Sequence, residues 1–235
     1  MTKVSVNLTR PSPYIEKEGR LYRLKRKLTY AFAFRLIKKF TNIRSAPSIL
    51  EIGTGSGFFL SFCKDAFKDP ELYGIEYDDR LLEVTRQRAP YAKCIQGNAE
   101  TFEFQNISFD IIASFQVIEH LYDPLAMFTR AHKYLKPGGL FIVTSPNIDG
   151  YGARFMGERW HGYRHDHVTL KGVNEWTRLI SENGFQTLYS GSTFLSGIPF
   201  LNKFPLGVFN WTLLVVFGCL RWNVGEAYVG VFRRV

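Results

Sequence analysis

Between residues 21 and 40 the apolar side chains Leu21, Leu24, Leu28, Phe32, Leu36 and Phe40 recur every three or four positions, with Lys and Arg crowding the intervals. That spacing draws one apolar stripe along a helix and leaves a basic face opposite it. From residue 48 the period changes. Short apolar runs at 49–52, 72–76, 92–96, 111–115, 140–145, 185–190 and 228–232 alternate with amphipathic segments. Strands covered on both faces read as such runs, and the segments between them read as crossover helices. The pattern predicts an α/β fold in which helices flank a mostly parallel, seven-stranded sheet, with a basic helix in front of it.

Local signals sharpen two of the helices. Asp78 stands where it can cap a helix carrying Leu81, Leu82 and Val84, and Asp123-Pro124 opens another that ends near Leu135. Lys136-Pro137-Gly138-Gly139 then stops that helix and turns the chain into the next strand. One region breaks the alternation. Residues 194–222 insert FLSGIPFLNKFPLGVFNWTLLVVFGCLRW before the final strand. Its longest greasy portion, 208–220, contains Asn210 and Thr212, and it falls short of the roughly 20 apolar residues a spanning helix needs. It reads as interfacial or buried. The organisation expected is a basic helical arm over 1–45, a core over 46–193, and the insert with the last strand over 194–235, completing the same domain.

Composition changes this picture little, and charge changes it locally. With 235 residues, 46% of them hydrophobic, the chain can bury one sizeable core. Cys63, Cys94 and Cys219 are far apart, odd in number and lack any C-x-x-C spacing, so neither a disulfide framework nor a zinc site is expected. Met1 is followed by a polar, basic stretch rather than a secretory leader, and a reducing cytoplasm is the expected compartment. Residues 1–44 hold 12 Lys and Arg against Glu16 and Glu18, a net +10, so the rest of a chain with total charge +9 is close to neutral at −1. The arm is either a solvated helix face or a surface for phosphate-bearing partners; the core has no general affinity for polyanions.

The first core strand runs into LEIGTGSG at 50–57. Glycines at 53, 55 and 57 let the backbone turn sharply and approach a ligand closely. A dinucleotide fingerprint requires G-x-G-x-x-G, but Phe58 or Leu60 occupies the third glycine position in either register. The spacing instead resembles the first motif of the class I S-adenosylmethionine-dependent methyltransferases, an acidic residue followed by G-x-G-x-G, matched by Glu51, Gly53, Gly55 and Gly57. The resemblance continues through LYGIEYDDRLLE at 72–83, QGNAETFEF at 96–104, FDIIASFQVIEHLYDP at 109–124 and LKPGG at 135–139, covering about residues 48–191.

The resemblance implies a Rossmann-like fold, S-adenosyl-L-methionine as cofactor and a set of binding residues. Glu76 would accept hydrogen bonds from both ribose hydroxyls and Tyr77 would pack on adenine. Asn98, where the family usually has Asp, and the adjoining backbone at Ala99 would read the adenine edge. Phe115 and Gln116, closing the fourth strand, would border the same site.

For the methyl acceptor two histidine clusters qualify, because an imidazole titrates near neutrality. Glu119-His120 follows the fourth strand, and RWHGYRHDHVTL at 159–170 carries His161, His165, Asp166 and His167. In an extended segment His165 and His167 would face one side. His167 is preferred as base, with His120 and His165 as alternatives; His120 could equally brace its turn. The Glu-His pair resembles that of ubiquinone-biosynthesis-type O-methyltransferases. Some of those bind a divalent metal through an additional acid, and Gln116 stands in that position here, so no metal is expected.

The resulting expectation is O-methylation of a small or lipid-linked hydrophobic acceptor, on a peripheral site at an anionic membrane surface if arm and insert act together. The alternatives are a nucleic-acid methyltransferase, disfavoured because SFQVIEH stands where a D/N-P-P-Y motif would be, and a non-catalytic protein that anchors a partner at the membrane.

Overall fold

All seven apolar runs form strands in the computed structural model, which describes residues 20–41, 46–193, 212, 216 and 219–235. They are β1 (Ser48–Ile52), β2 (Glu71–Glu76), β3 (Lys93–Gln96), β4 (Phe109–Phe115), β5 (Leu135–Pro146), β6 (Phe185–Thr193) and β8 (Ala227–Arg234). An eighth, β7 (Cys219–Leu220), corrects the expected count of seven by pairing with Ser192 and Thr193 at the sheet edge. Two residues are too few for a period, so no sequence pattern announces it.

The order is β3-β2-β1-β4-β5-β8-β6-β7. The pairs from β3 to β5 are parallel, while β8 lies antiparallel between β5 and β6. Chain progression reverses between β1 and β4, and the crevice beyond the carboxyl ends of these two strands is where open α/β sheets bind ligands.

The helices are α1 (Arg20–Phe40), α2 (Phe58–Ala66), α3 (Asp79–Arg88), α4 (Pro124–Tyr134), α5 (Tyr151–Met156) and α6 (Val173–Glu182). Alternation along each strand sends its residues to two separate cores. On β1, Leu50 and Ile52 join Phe128, Phe141 and Trp176 on the α4–α6 side, whereas Ile49 joins Phe59, Phe62 and Ile37 on the α1–α2 side. The capping signals hold. The Asp78 carboxylate accepts from the N–H groups of Arg80 (2.9 Å) and Leu81 (3.3 Å), and Asp123 accepts from Ala126 N–H at 3.2 Å.

On α1 the described residues buried in the core are Tyr30, Phe32, Ala33, Leu36 and Ile37, with the half-buried Phe34 and Phe40 packed against them. Ala33 and Ile37 widen the expected stripe by one position, and the side chains of Leu21, Leu24 and Leu28 lie outside the described residues. Lys27, Arg35, Lys38 and Lys39 are exposed, which is the basic face the pattern called for. Most of the insert lies outside the described residues; at Val216 its carbonyl accepts from Arg35 Nη1 at 3.0 Å. Among the described residues no helix is long and apolar enough to cross a membrane.

Candidate functional site

The glycine loop joins β1 to α2 at the reversal point. Gly53, Gly55 and Gly57 all have positive φ, at 75°, 52° and 72°. Their surroundings differ. A Cβ on Gly53 would stand 2.3 Å from Val117 Cγ2, whereas one on Gly55 would meet nothing within 4 Å. Gly53 therefore serves the packing of the loop on the segment after β4, and Gly55 faces open space. The Gly55 carbonyl accepts from the Thr85 hydroxyl at 2.8 Å, a brace from α3 that carries no sequence signal.

Glu76, at the end of β2, reaches across to this loop. Its Oε2 accepts from Gly55 N–H at 2.7 Å, and its Oε1 accepts from the N–H groups of Tyr77 and Asp78 at 2.9 and 3.1 Å. Burial pushes its carboxyl above the ordinary 4.5, against the pull of those three donors. Oε2, with a single bond, keeps acceptor capacity, whereas the two donors on Oε1 fill its lone pairs. The ring of Tyr77 beside it is 74% exposed, an aromatic face open to a ligand.

Glu51 is buried, and its Oε2 has no hydrogen-bond partner. Burial and then the neighbouring Glu76 raise its pKa well above the usual carboxylate range, with the charge of Arg26 from α1 working the other way. A buried acceptor without a donor is costly, and an ammonium group supplies what it lacks. Loop, Glu51 and Glu76 thus fit an elongated cofactor carrying an amino group at one end and vicinal hydroxyls in the middle.

Asn98 Oδ1 accepts from Glu100 N–H at 2.7 Å, so this oxygen shapes the turn after β3 and has one lone pair left for an adenine amino group. Ala99 is buried next to it. Phe115 departs from the expected position. Its ring packs edge-on against Phe59 (4.9 Å) and Tyr30 (5.1 Å) on the α1–α2 side, because alternation along β4 turns it into that core. Gln116 takes a left-handed φ of 57°, and its backbone N–H and its Nε2 both donate to Thr144, at 3.0 Å to the carbonyl and 3.2 Å to the hydroxyl. Holding a non-glycine residue there costs about 1–2 kcal/mol, a local strain of the kind concentrated at functional sites.

A short 3₁₀ turn at Ile118–His120 follows. Thr169, at the end of the histidine-rich segment, sews that segment to this turn by donating its N–H to the Glu119 carbonyl (3.0 Å) and its hydroxyl to the Leu121 carbonyl (2.8 Å). His120 and His167 are thereby brought together, rings edge-on with centroids 4.7 Å apart. His120 Nδ1 lies 2.9 Å from the Asp166 carbonyl oxygen and His167 Nδ1 lies 2.7 Å from that of Gly162. Burial holds His167 below the ordinary 6.5, so it is a neutral imidazole at neutral pH.

His165 is not brought to the pair. The segment is a turn rather than extended, closed by His167 N–H to the Arg164 carbonyl at 3.1 Å, so the alternation argument fails and His165 is exposed. The residue that the sequence pattern left in the background is Glu119. It is fully buried, neither of its carboxylate oxygens has a partner at hydrogen-bond geometry, and burial pushes its pKa up to about 8 against the weaker pulls of its own backbone N–H and of the nearby Ser145 hydroxyl. Ligand atoms of Glu119, His120 and His167 lie within 4.8 Å of one another. The Glu-His doublet was visible in the sequence, but its meeting with His167 was not.

Sheet order, glycine loop and strand-end carboxylate together define a Rossmann-like domain for a nucleoside cofactor. A family profile described as "Methyltransferase domain" matches residues 18–190. A Mycolicibacterium smegmatis protein named for S-adenosylmethionine-dependent methyl transfer is 32% identical over 99 residues, 42% of this chain and 38% of that protein. A ubiquinone biosynthesis O-methyltransferase of Cereibacter sphaeroides is 27% identical over 139 residues, 57% of this chain and 54% of the relative. The aligned parts therefore span about half or less of these relatives' length. Among solved structures, phosphoethanolamine N-methyltransferase 2 of Haemonchus contortus in complex with S-adenosyl-L-methionine shares the fold, with a TM-score of 0.61 over 90% of this chain and 56% of that one at 17% identity. The chain belongs to the class I S-adenosylmethionine-dependent methyltransferase family.

Proposed function

We propose that the protein transfers a methyl group from S-adenosyl-L-methionine to a hydroxyl of a small or lipid-linked hydrophobic acceptor. The observation that carries the cofactor half is the 2.7 Å bond from Gly55 N–H to Glu76 Oε2, with open space above Gly55: the loop and the strand-end carboxylate are locked in register with room for a ligand across them. In this reading Glu51 holds the ammonium of the cofactor's amino-acid end, Glu76 the ribose hydroxyls, Tyr77 one face of adenine, and Asn98 with the Ala99 backbone the adenine edge. Gly53 and Gly57 set the loop's course, while Phe115 and Gln116 contribute backbone at the β4 end.

When bound, the cofactor supplies an activated methyl on a positively charged sulfur. The protein's task is to hold the acceptor oxygen in line with that methyl and to keep water out. A hydroxyl acceptor must also lose its proton. His167 is the proposed base, neutral and beside His120, with Nδ1 directed at a carbonyl so that Nε2 keeps a lone pair for the incoming proton. His165, exposed and outside the pair, is not proposed for this role. The exposed basic residues of α1 and the bond from Arg35 to the insert at Val216 support peripheral contact with an anionic membrane surface, from which a lipid-linked acceptor would be drawn.

The test is calorimetric titration of wild type and Glu76→Ala with S-adenosylmethionine and with NADH, followed by incubation with labelled cofactor and lipid extracts. Selective binding of the sulfonium compound, weakened by the substitution, together with label in an extracted lipid, is the expected result. No binding to the wild type would overturn the reading.

A further inference from the structure

We infer that Trp160, fixed by Glu226, is a positioning residue for methyl transfer: its indole sets the Gly162 carbonyl, and that carbonyl decides which nitrogen of His167 can take a proton. The role in transfer rests on the reading of His167 as base, whereas the link from Trp160 to the His167 ring stands on geometry alone.

The link begins at the imidazole. The Gly162 carbonyl oxygen lies 2.7 Å from His167 Nδ1 and also accepts from Arg164 N–H at 3.1 Å, so both of its lone pairs are engaged. A carbonyl can only accept, and the hydrogen of the neutral ring therefore sits on Nδ1 and the lone pair on Nε2. If the carbonyl turns away, the hydrogen can move to Nε2 and the basic atom becomes Nδ1.

What keeps the carbonyl in place is an indole packed on its own residue. Gly162 is buried, and a Cβ there would stand 2.2 Å from Trp160 Cη2 and Cζ3, so the ring lies on the Gly162 backbone where any larger residue would push it off. Turns close on either side of the ring, from Trp160 N–H to the Gly157 carbonyl and from Tyr163 N–H to the Trp160 carbonyl, each at 3.0 Å. A shift of the indole is thus carried into residues 162–164. Trp160 is only 1% exposed, so it reaches the acceptor through Gly162 and His167 and not by contact.

The indole has one polar atom, and a buried carboxylate holds it. Trp160 Nε1–H donates to Glu226 Oε2 at 3.0 Å, and Glu226 Oε1 accepts from Gly152 N–H at the same distance. A Cβ on Gly152 would stand 2.3 Å from that Oε1, so this glycine makes room for the carboxylate as Gly162 makes room for the indole. The Glu226 carbonyl accepts from Asn147 N–H at 3.0 Å, just past β5, and β8 starts at the next residue. The tautomer of His167 is in this way referred to the ends of two paired strands in the middle of the sheet.

The experiment follows the ring nitrogens by NMR in the full chain carrying isotope-labelled histidine, with His167 assigned by its loss in His167→Gln. S-adenosylmethionine affinity and methyl label passed to lipid extracts are read on the same samples. Hydrogen on Nδ1 of His167 is expected in wild type. Trp160→Phe keeps an aromatic ring but deletes the bond to Glu226, and Gly162→Ala displaces the indole. Each should populate the other tautomer and cut label transfer by about tenfold to a hundredfold, with S-adenosylmethionine affinity unchanged. Burial lowers the His167 pKa and the Gly162 carbonyl offsets this in part, with His120, Asp166 and Arg164 the other charged or titrating neighbours, so both variants should also lower it further. Lost stability alone would leave ring shifts and pKa of the folded protein where they were. Hydrogen on Nε2 in wild type, or unmoved ring shifts in folded Trp160→Phe, would overturn the inference; the first result needs no variant to fold and no lipid to take label. Full label transfer by His167→Gln would instead sink the reading of His167 as base.

Discussion

Gly53 and Gly55 look alike in sequence and should behave in opposite ways when each is replaced by alanine. Both have left-handed φ, 75° and 52°, so each substitution carries the backbone penalty of about 1–2 kcal/mol for an L-residue there. At Gly53 the new methyl would also sit 2.3 Å from Val117 Cγ2, and overpacking of that kind adds about 1–3 kcal/mol. Gly53→Ala is therefore expected to lose about 2–5 kcal/mol of stability. At Gly55 a Cβ meets no protein atom within 4 Å, so the stability loss stops at the backbone term. If the cofactor crosses the loop there, the same methyl intrudes on the ligand. An overpacking cost of about 1–3 kcal/mol corresponds to an affinity about fivefold to 150-fold weaker. Urea denaturation of the two variants, with calorimetric titration of S-adenosylmethionine into each folded sample, separates the effects. Wild-type affinity in Gly55→Ala would refute the placement of the cofactor over the loop, and equal stability of the two variants would refute the role given to Val117.

Three further outcomes are expected. Burial holds Glu76 above the ordinary 4.5, so its ionised form, the one proposed to bind the ribose, is lost on acidification earlier than for an exposed glutamate: S-adenosylmethionine affinity should already be falling above pH 4.5 in wild type and stay flat in Glu76→Gln, as read by titration in matched buffers. Asp110 is pushed up by burial but held below its ordinary 3.8 by Lys136 and by the Ser48 N–H and hydroxyl, all on one oxygen at 2.8–2.9 Å. A depressed carboxylate stabilises the fold above its unfolded pKa and loses that contribution as pH falls through the folded value. Asp110→Asn should accordingly cost about 1 kcal/mol at neutral pH after solvent screening and nothing well below pH 3.8, checked by denaturation at both. Buried Glu226 accepts from Gly152 N–H and from Trp160 Nε1–H, each at 3.0 Å, so Glu226→Gln, which can turn a donor on one of them, should lose about 1–3 kcal/mol of stability by thermal or chemical unfolding.

The legible part of the fold was the part with a period. Seven apolar runs became strands, and the caps at Asp78 and Asp123 formed as their positions demanded, because each depends on residues within one turn or one strand. The residues proposed for the cofactor were legible for a related reason: Glu51, the glycines, Glu76 and Asn98 lie within a few residues of strand ends, and parallel pairing fixes where strand ends meet. What escaped were outcomes of pairing between distant segments. The insertion of β8 between β5 and β6 and the short β7 edge depend on which strand reaches which edge first, and no local pattern records that.

The acceptor side shows the same rule at the scale of single residues. Two-residue alternation assigned His165 and His167 to one face, but alternation holds only in extended chain, and the turn closed by His167 N–H on the Arg164 carbonyl separates them. Contacts from far along the sequence set the course of that segment. Trp160, at its start, is tied to Glu226 just before β8, and Thr169, at its end, is tied to the turn that carries Glu119 and His120. The histidines proposed for the acceptor are therefore positioned from both the middle and the last strand of the sheet. It follows that a change near the carboxyl terminus can reach the acceptor chemistry while leaving the glycine loop and Glu76 untouched, so cofactor affinity and turnover should respond separately to substitutions at Glu226.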